Sequence, residues 1–126
     1  MIYTSYFGNI KKLESDGIIP IAICGGIPEG YKGRWYKKVA PSWSIYSEYK
    51  DSGDSKRYTE RFLKEILAKR NVEQVFQDLY NLADETTNFA MICYEKPGDF
   101  CHRHLVADWF RDHGIECKEY KSIEEF

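Results

Sequence analysis

The chain has 126 residues, of which 43% are apolar and 30% charged, with a formal net charge of −2. That length suits one domain with a core of two or three layers, and no stretch approaches the ~18 apolar residues of a membrane span. The near-neutral charge excludes a dedicated duplex-binding protein with a broad basic face.

In chain order, IYTSYF (residues 2–7) is β-branched and aromatic and predicts a first strand, closed by Gly8-Asn9. This strand-like start predicts no leader peptide and a cytoplasmic protein, whose cysteines (Cys24, Cys93, Cys101, Cys117) are then expected to be reduced thiols. NIKKLESDG predicts a short helix from Asn9 to Asp16, with Gly17 to stop it. Ile18 to Cys24 is a near-continuous apolar run of the kind that fills a buried parallel strand, with Pro20 tolerable near its beginning. The glycines and prolines of residues 25–43 predict a long irregular loop, and loops of that length are usually functional. SIYSEYK predicts one or two helical turns before the polar break DSGDS.

From Ser55 the pattern is strongly helical. Tyr58, Phe62, Ile66 and Leu67 recur at helical spacing, and Asn71 caps a second helix striped by Val72, Val75, Phe76, Leu79 and Leu82. NFAMICYE (88–95) is an apolar third strand, Leu105, Val106, Trp109 and Phe110 mark the next helix, and Gly114 sits where a left-handed residue ends it. Ile115 to Tyr120 predicts a fourth strand. The alternation reads as a single α/β domain over 1–126, a Rossmann-like three-layer sandwich. Its sheet is small, mostly parallel, of about four strands, and flanked by helices.

Right-handed crossovers bring the carboxyl ends of such strands to one rim, where open α/β sheets bind ligands. That rim should gather Ser5 to Asn9, the Gly25–Lys38 part of the loop, and the turn CYEKPGDFCHRH (93–104). The turn ends in a helix start, whose N–H groups favour anions, and Arg103 adds a planar fork suited to phosphate or carboxylate. The alternative is that Arg103 pairs with Asp99 or Glu95 and staples the turn. His102 shares a helix face with Leu105, Val106 and Trp109 and points inward, whereas His104 lies roughly 200° further round. Cys101 stands beside His102 at the helix start, where a thiol can become a nucleophile. Glu95 at the strand end can serve as general base or hold ribose hydroxyls, unless it only pairs with Arg103 or Lys96. Glu95, Cys101 and His102 are thus the catalytic candidates. Zinc wants about four ligands, and Cys93, Cys101 and His102 offer three without a matching spacing, so no metal or other cofactor is expected.

Residues 31–50 interleave Lys32, Arg34, Lys37, Lys38 and Lys50 with Tyr31, Trp35, Tyr36, Trp43, Tyr46 and Tyr49, against one acid, Glu48. Aromatic faces stack on bases while neighbouring cations meet phosphates. The ligand-binding set expected at the rim is therefore Ser5, Asn9, Arg34, Trp35, Tyr36, Lys37, Glu95, Lys96, Cys101, His102 and Arg103. The same aromatics also suit a core beneath a long loop or a surface between two copies of the chain.

CYEKPGDFCHRHLVADWF, together with YTSYFGN, GGIPEGYKGRWYKKVAP and YTERFLKEIL, resembles domain-of-unknown-function family 488 in its bacterial and phage subgroup. The resemblance covers nearly the whole chain and implies an α/β fold with a shared pocket. In that subgroup an Arg often precedes the Gly-Ile-Pro segment, whereas Gly25 stands here; if that Arg holds an anion, Arg34 or Lys37 must replace it or the ligand must differ. The leading expectation is binding of a phosphate-bearing, nucleotide-like molecule, which would sequester a nucleotide signal, with a short single strand as an extended version of the ligand. The competing expectations are an enzyme acting on such a molecule through Glu95 or through Cys101 and His102, and a structural turn beside a protein–protein surface.

Overall fold

The computed structural model describes residues 1–95 and 99–121. Five strands, β1 (Ile2–Tyr6), β2 (Ile19–Ala22), β3 (Arg34–Trp35), β4 (Phe89–Cys93) and β5 (Cys117–Glu119), form one sheet in the order β3-β2-β4-β1-β5. Every pairing is parallel. The five α-helices are α1 (Ile10–Ser15), α2 (Trp43–Ser52), α3 (Ser55–Glu65), α4 (Val72–Leu82) and α5 (His102–Asp112).

Both faces of the sheet are covered, which is why β2 and β4 are apolar at nearly every position. Ile21, Phe89 and Met91 join Phe62, Leu67, Leu79, Val106 and Phe110 in the larger core. The alternate positions Ala22, Ala90 and Ile92 face the other way, onto Leu13 of α1 and Tyr120. Burial of each large side chain in such a core contributes roughly 1.5–3 kcal/mol.

The departures from the sequence reading are local and have physical causes. The long loop after Cys24 contains β3, a two-residue strand that pairs only with Ile21 and Ala22. Pro20 is therefore left without a neighbour to bond on that side, and its missing N–H costs the sheet nothing there. The segment after the loop is a full ten-residue helix, α2, capped by the Ser42 hydroxyl accepting from the Ile45 N–H and stopped by Gly53 at φ 67°. The long helical pattern from Ser55 ends as an α-helix at Glu65 and continues as a 3-10 turn over Leu67–Lys69. Asn71 caps α4 as expected, its side chain accepting from Gln74 N–H, and Gly114 follows α5 at φ 80°.

Candidate functional site

Because all strands run the same way, their carboxyl ends share one rim. Register places Tyr6 beside Cys93 and Ala22 beside Ile92, so Phe7, Ile23, Cys24, Tyr94 and Glu95 emerge together. The aromatics interlock there: Phe7 meets the Tyr31 ring at 5.3 Å and the Tyr94 ring at 5.0 Å, both edge-on. Tyr94 remains 50% exposed and Glu95 is exposed beside it. Burial pushes the Cys24 thiol up to about 11, and the Glu95 carboxylate adds to the rise. Glu95 likewise adds to the upward shift that burial gives Tyr58 of α3.

Below this exposed layer the turn is bound into the fold. Arg103 is fully buried. Its Nε and NH2 groups donate to the two carboxylate oxygens of Glu119 at 3.2 and 2.8 Å, and NH1 donates to Cys93 Sγ at 3.2 Å and to the Glu95 carbonyl. Glu119 also accepts from the Thr4 hydroxyl at 2.6 Å. A bidentate guanidinium–carboxylate pair of this kind fixes geometry on both sides. The partner of Arg103 is thus the carboxylate of β5, sixteen residues on, and the contact with Glu95 is through its backbone. With its fork committed in this way, Arg103 anchors the turn from inside and is not among the groups the rim holds outward.

His102 is buried as well, and its Nε2 lies 2.8 Å from the Ile23 carbonyl. A carbonyl can only accept, so Nε2 carries the proton and Nδ1 presents a lone pair. Nδ1 faces Cys101 Sγ at 3.8 Å. Burial holds the imidazole neutral, with its pKa lowered to about 4.

The sequence predicts reduced thiols for all four cysteines. The structure sets the sulfurs of Cys93 and Cys101 against each other with their Cα atoms 7.8 Å apart, wider than a relaxed disulfide spans, while Cys24 and Cys117 are free. The two sulfurs meet because the end of β4 lies beside the cap of α5, a proximity that a separation of eight residues does not announce. The ligating atoms of Cys93, Cys101 and His102 lie within 4.8 Å of one another.

The other expected ligand residues divide. Ser5 and Asn9 are buried and bonded to each other, Asn9 Nδ2 donating to Ser5 Oγ at 3.1 Å. Tyr36 is buried, and its hydroxyl donates to Asp78 of α4 at 2.7 Å. Arg34 pairs with Asp84 at 2.7 Å. Trp35 donates its indole N–H to the Cys24 carbonyl, and Lys37 lies over its ring at 4.8 Å, so these two remain next to the rim. Lys96 lies outside the described residues. Of the aromatics after the loop, Tyr49 packs against Tyr58 and Phe100, whereas Trp43 is 76% exposed and stacks on Tyr46.

Sequence reasoning brought Phe7 and Tyr94 to the rim within their segments but did not single them out, and it missed Cys24 and Tyr58 there and Glu119 as the partner of Arg103. No helix among the described residues is long and apolar enough to cross a membrane.

No curated protein and no solved structure gives a match to this chain. The protein-family model described as the active DUF488-N3 subclade matches residues 11–114. That span takes in every rim segment except β1 and Phe7, and it includes the whole turn from Cys93 to Arg103. On that match the chain belongs to the DUF488 family, in its active N3 subclade.

Proposed function

We propose that this protein binds a phosphate-bearing, nucleotide-like small molecule at the carboxyl rim of its sheet. One observation carries the reading: Tyr94, half exposed and braced by Phe7, stands with the exposed carboxylate of Glu95 at the end of β4, on the chain segment that leads into α5. A base stacks on the exposed face of Tyr94, as bases do on aromatic side chains. Glu95 receives the sugar hydroxyls. The phosphate meets the first turn of α5, where the Cys101 side chain makes no capping bond. Lys37 supplies a cation from the neighbouring loop. Binding without turnover would make the protein a sequestering module for a nucleotide signal.

Thermal-shift and native mass measurements against a panel of mono- and dinucleotides test this. A nucleotide should raise the melting temperature of the wild-type chain, and Tyr94→Ala and Glu95→Gln should abolish that rise while leaving the unliganded melting temperature nearly unchanged. If no member of the panel binds, the reading fails.

A second reading, chemistry on such a ligand, is favoured by the lone pair of His102 Nδ1 facing Cys101 Sγ and by the description of the matched subclade as active. Chromatography of the panel after incubation separates the two, because a binder returns the nucleotide intact. Loss of turnover in Cys101→Ser or in Glu95→Gln would then say which group acts.

A further inference from the structure

The buried sulfur pair is built asymmetrically, and neither the family assignment nor nucleotide binding accounts for that. Cys93 Sγ receives an N–H of the Arg103 guanidinium at 3.2 Å, inside a pocket where Glu119 holds that guanidinium in place. Cys101 stands at the start of α5, with the unprotonated Nδ1 of His102 facing its sulfur. Cys101 is also the less enclosed of the two, 4% exposed against 0% for Cys93. One sulfur is thus placed to carry negative charge and the other to be reached and to share a proton.

We propose that Cys93 and Cys101 form a reversible two-electron thiol–disulfide site, with Cys101 the sulfur attacked from outside and Cys93 the leaving sulfur. A reductant of the dithiol class supplies the electrons. Its thiolate attacks Cys101 Sγ, the bond between the two protein sulfurs breaks, and the electron pair passes to Cys93, where the Arg103 N–H meets it. Cys101 is then held in a mixed disulfide with the reductant. The second thiol of the reductant attacks its own sulfur in that bond and releases Cys101, leaving the reductant as its cyclic disulfide. Cys101 takes up a proton and donates it as a hydrogen bond to His102 Nδ1. The balance is two electrons and one proton gained by the protein, with the second proton of the dithiol released to solvent. Exchange of this kind runs faster when the leaving sulfur is stabilised as thiolate, and a guanidinium beside a thiol provides that stabilisation.

The site also governs the rim. A bond between Cys93 and Cys101 ties the end of β4 to the start of α5, and Tyr94 and Glu95 stand inside the loop it closes. Reduction opens that tie while Arg103 still bridges the turn to β5.

The test uses the full chain and requires no nucleotide, so its outcome is independent of the ligand reading. After exposure to oxidised glutathione, the wild-type protein unfolded in urea with iodoacetamide should take two alkyl groups, on Cys24 and Cys117; after dithiothreitol it should take four. Folded Cys93→Ser should trap one glutathione on Cys101, whereas Cys101→Ser should leave Cys93 unmodified under the same conditions. Four alkylations after oxidised glutathione overturn the proposal. So does equal trapping at the two positions, or stoichiometric zinc that holds Cys93, Cys101 and His102 in the purified protein. The alkylation count on the wild-type chain stands even if a serine variant fails to fold.

Discussion

The inner and outer layers of one turn are used in opposite ways. Arg103, His102 and Cys93 are buried and partnered, and each sits within hydrogen-bonding reach of another segment or of its own strand end. Tyr94 and Glu95, one and two residues past Cys93, are exposed. The same division recurs in the basic aromatic loop, where Tyr36 is anchored to Asp78 while Lys37, the next residue, stays on the surface of Trp35. The comparison teaches that charge and aromaticity in a motif do not distinguish anchoring residues from ligand-facing ones. What distinguishes them is which layer the backbone puts them in.

The largest effect is expected at Arg103. Arg103→Ala leaves Glu119 without its cation and opens a cavity, and should cost about 3–5 kcal/mol in urea unfolding. Arg103→Lys should recover only part of that, since an ammonium cannot span both Glu119 oxygens. A loss below about 1 kcal/mol for the alanine variant would show that the inner layer is not the anchor described here.

His102 gives the next largest effect, through pH. Its folded pKa of about 4 lies below the ordinary 6.5, because burial disfavours the imidazolium. The unfolded chain therefore binds a proton that the folded chain refuses, and stability falls as pH drops from 6.5 towards 4 and levels off below that. The difference between pH 7 and pH 5 should be about 2 kcal/mol. His102→Gln, less stable at neutral pH, should lack this contribution. An unchanged slope in the variant would assign the pH dependence to other groups.

Smaller still is Tyr36→Phe, which removes the hydroxyl that donates to Asp78 and should cost about 1 kcal/mol. It should leave nucleotide binding unchanged, and a loss of binding would move Tyr36 into the outer layer. The smallest stability effect belongs to the exposed pair. Glu95→Gln and Tyr94→Ala should stay within about 0.5–1 kcal/mol of the wild type, while each weakens nucleotide binding about tenfold or more.

Much of the architecture was legible because it follows from local pattern. Ile18 to Cys24 read as a buried parallel strand and residues 88–95 as an apolar strand, of which Ile19–Ala22 and Phe89–Cys93 form β2 and β4, and Asn71 and Gly114 marked helix ends through backbone chemistry that acts within a few residues. The inward direction of His102 followed from helical phase alone. By contrast, β3 is two residues long and exists because its backbone reaches the edge of β2, with the Tyr36 N–H donating to the Ala22 carbonyl at 2.8 Å. No periodicity can be read from two residues. The pairing of Arg103 with Glu119 was illegible for a similar reason: the carboxylates nearest in sequence, Asp99 and Glu95, were the natural guesses, and β5 had to be set beside β1 before Glu119 came within reach.

Local pattern was enough for the α/β class, the parallel rim and the chain segments that meet there, because apolar period and helix caps act over short stretches of chain. Tertiary structure alone decided which of their residues face out. It turned Arg103 towards Glu119, brought the sulfurs of Cys93 and Cys101 together, and set Tyr94 against Phe7. Those outcomes depend on strand order and register, which bring together groups whose separation along the chain carries no information about their distance in space.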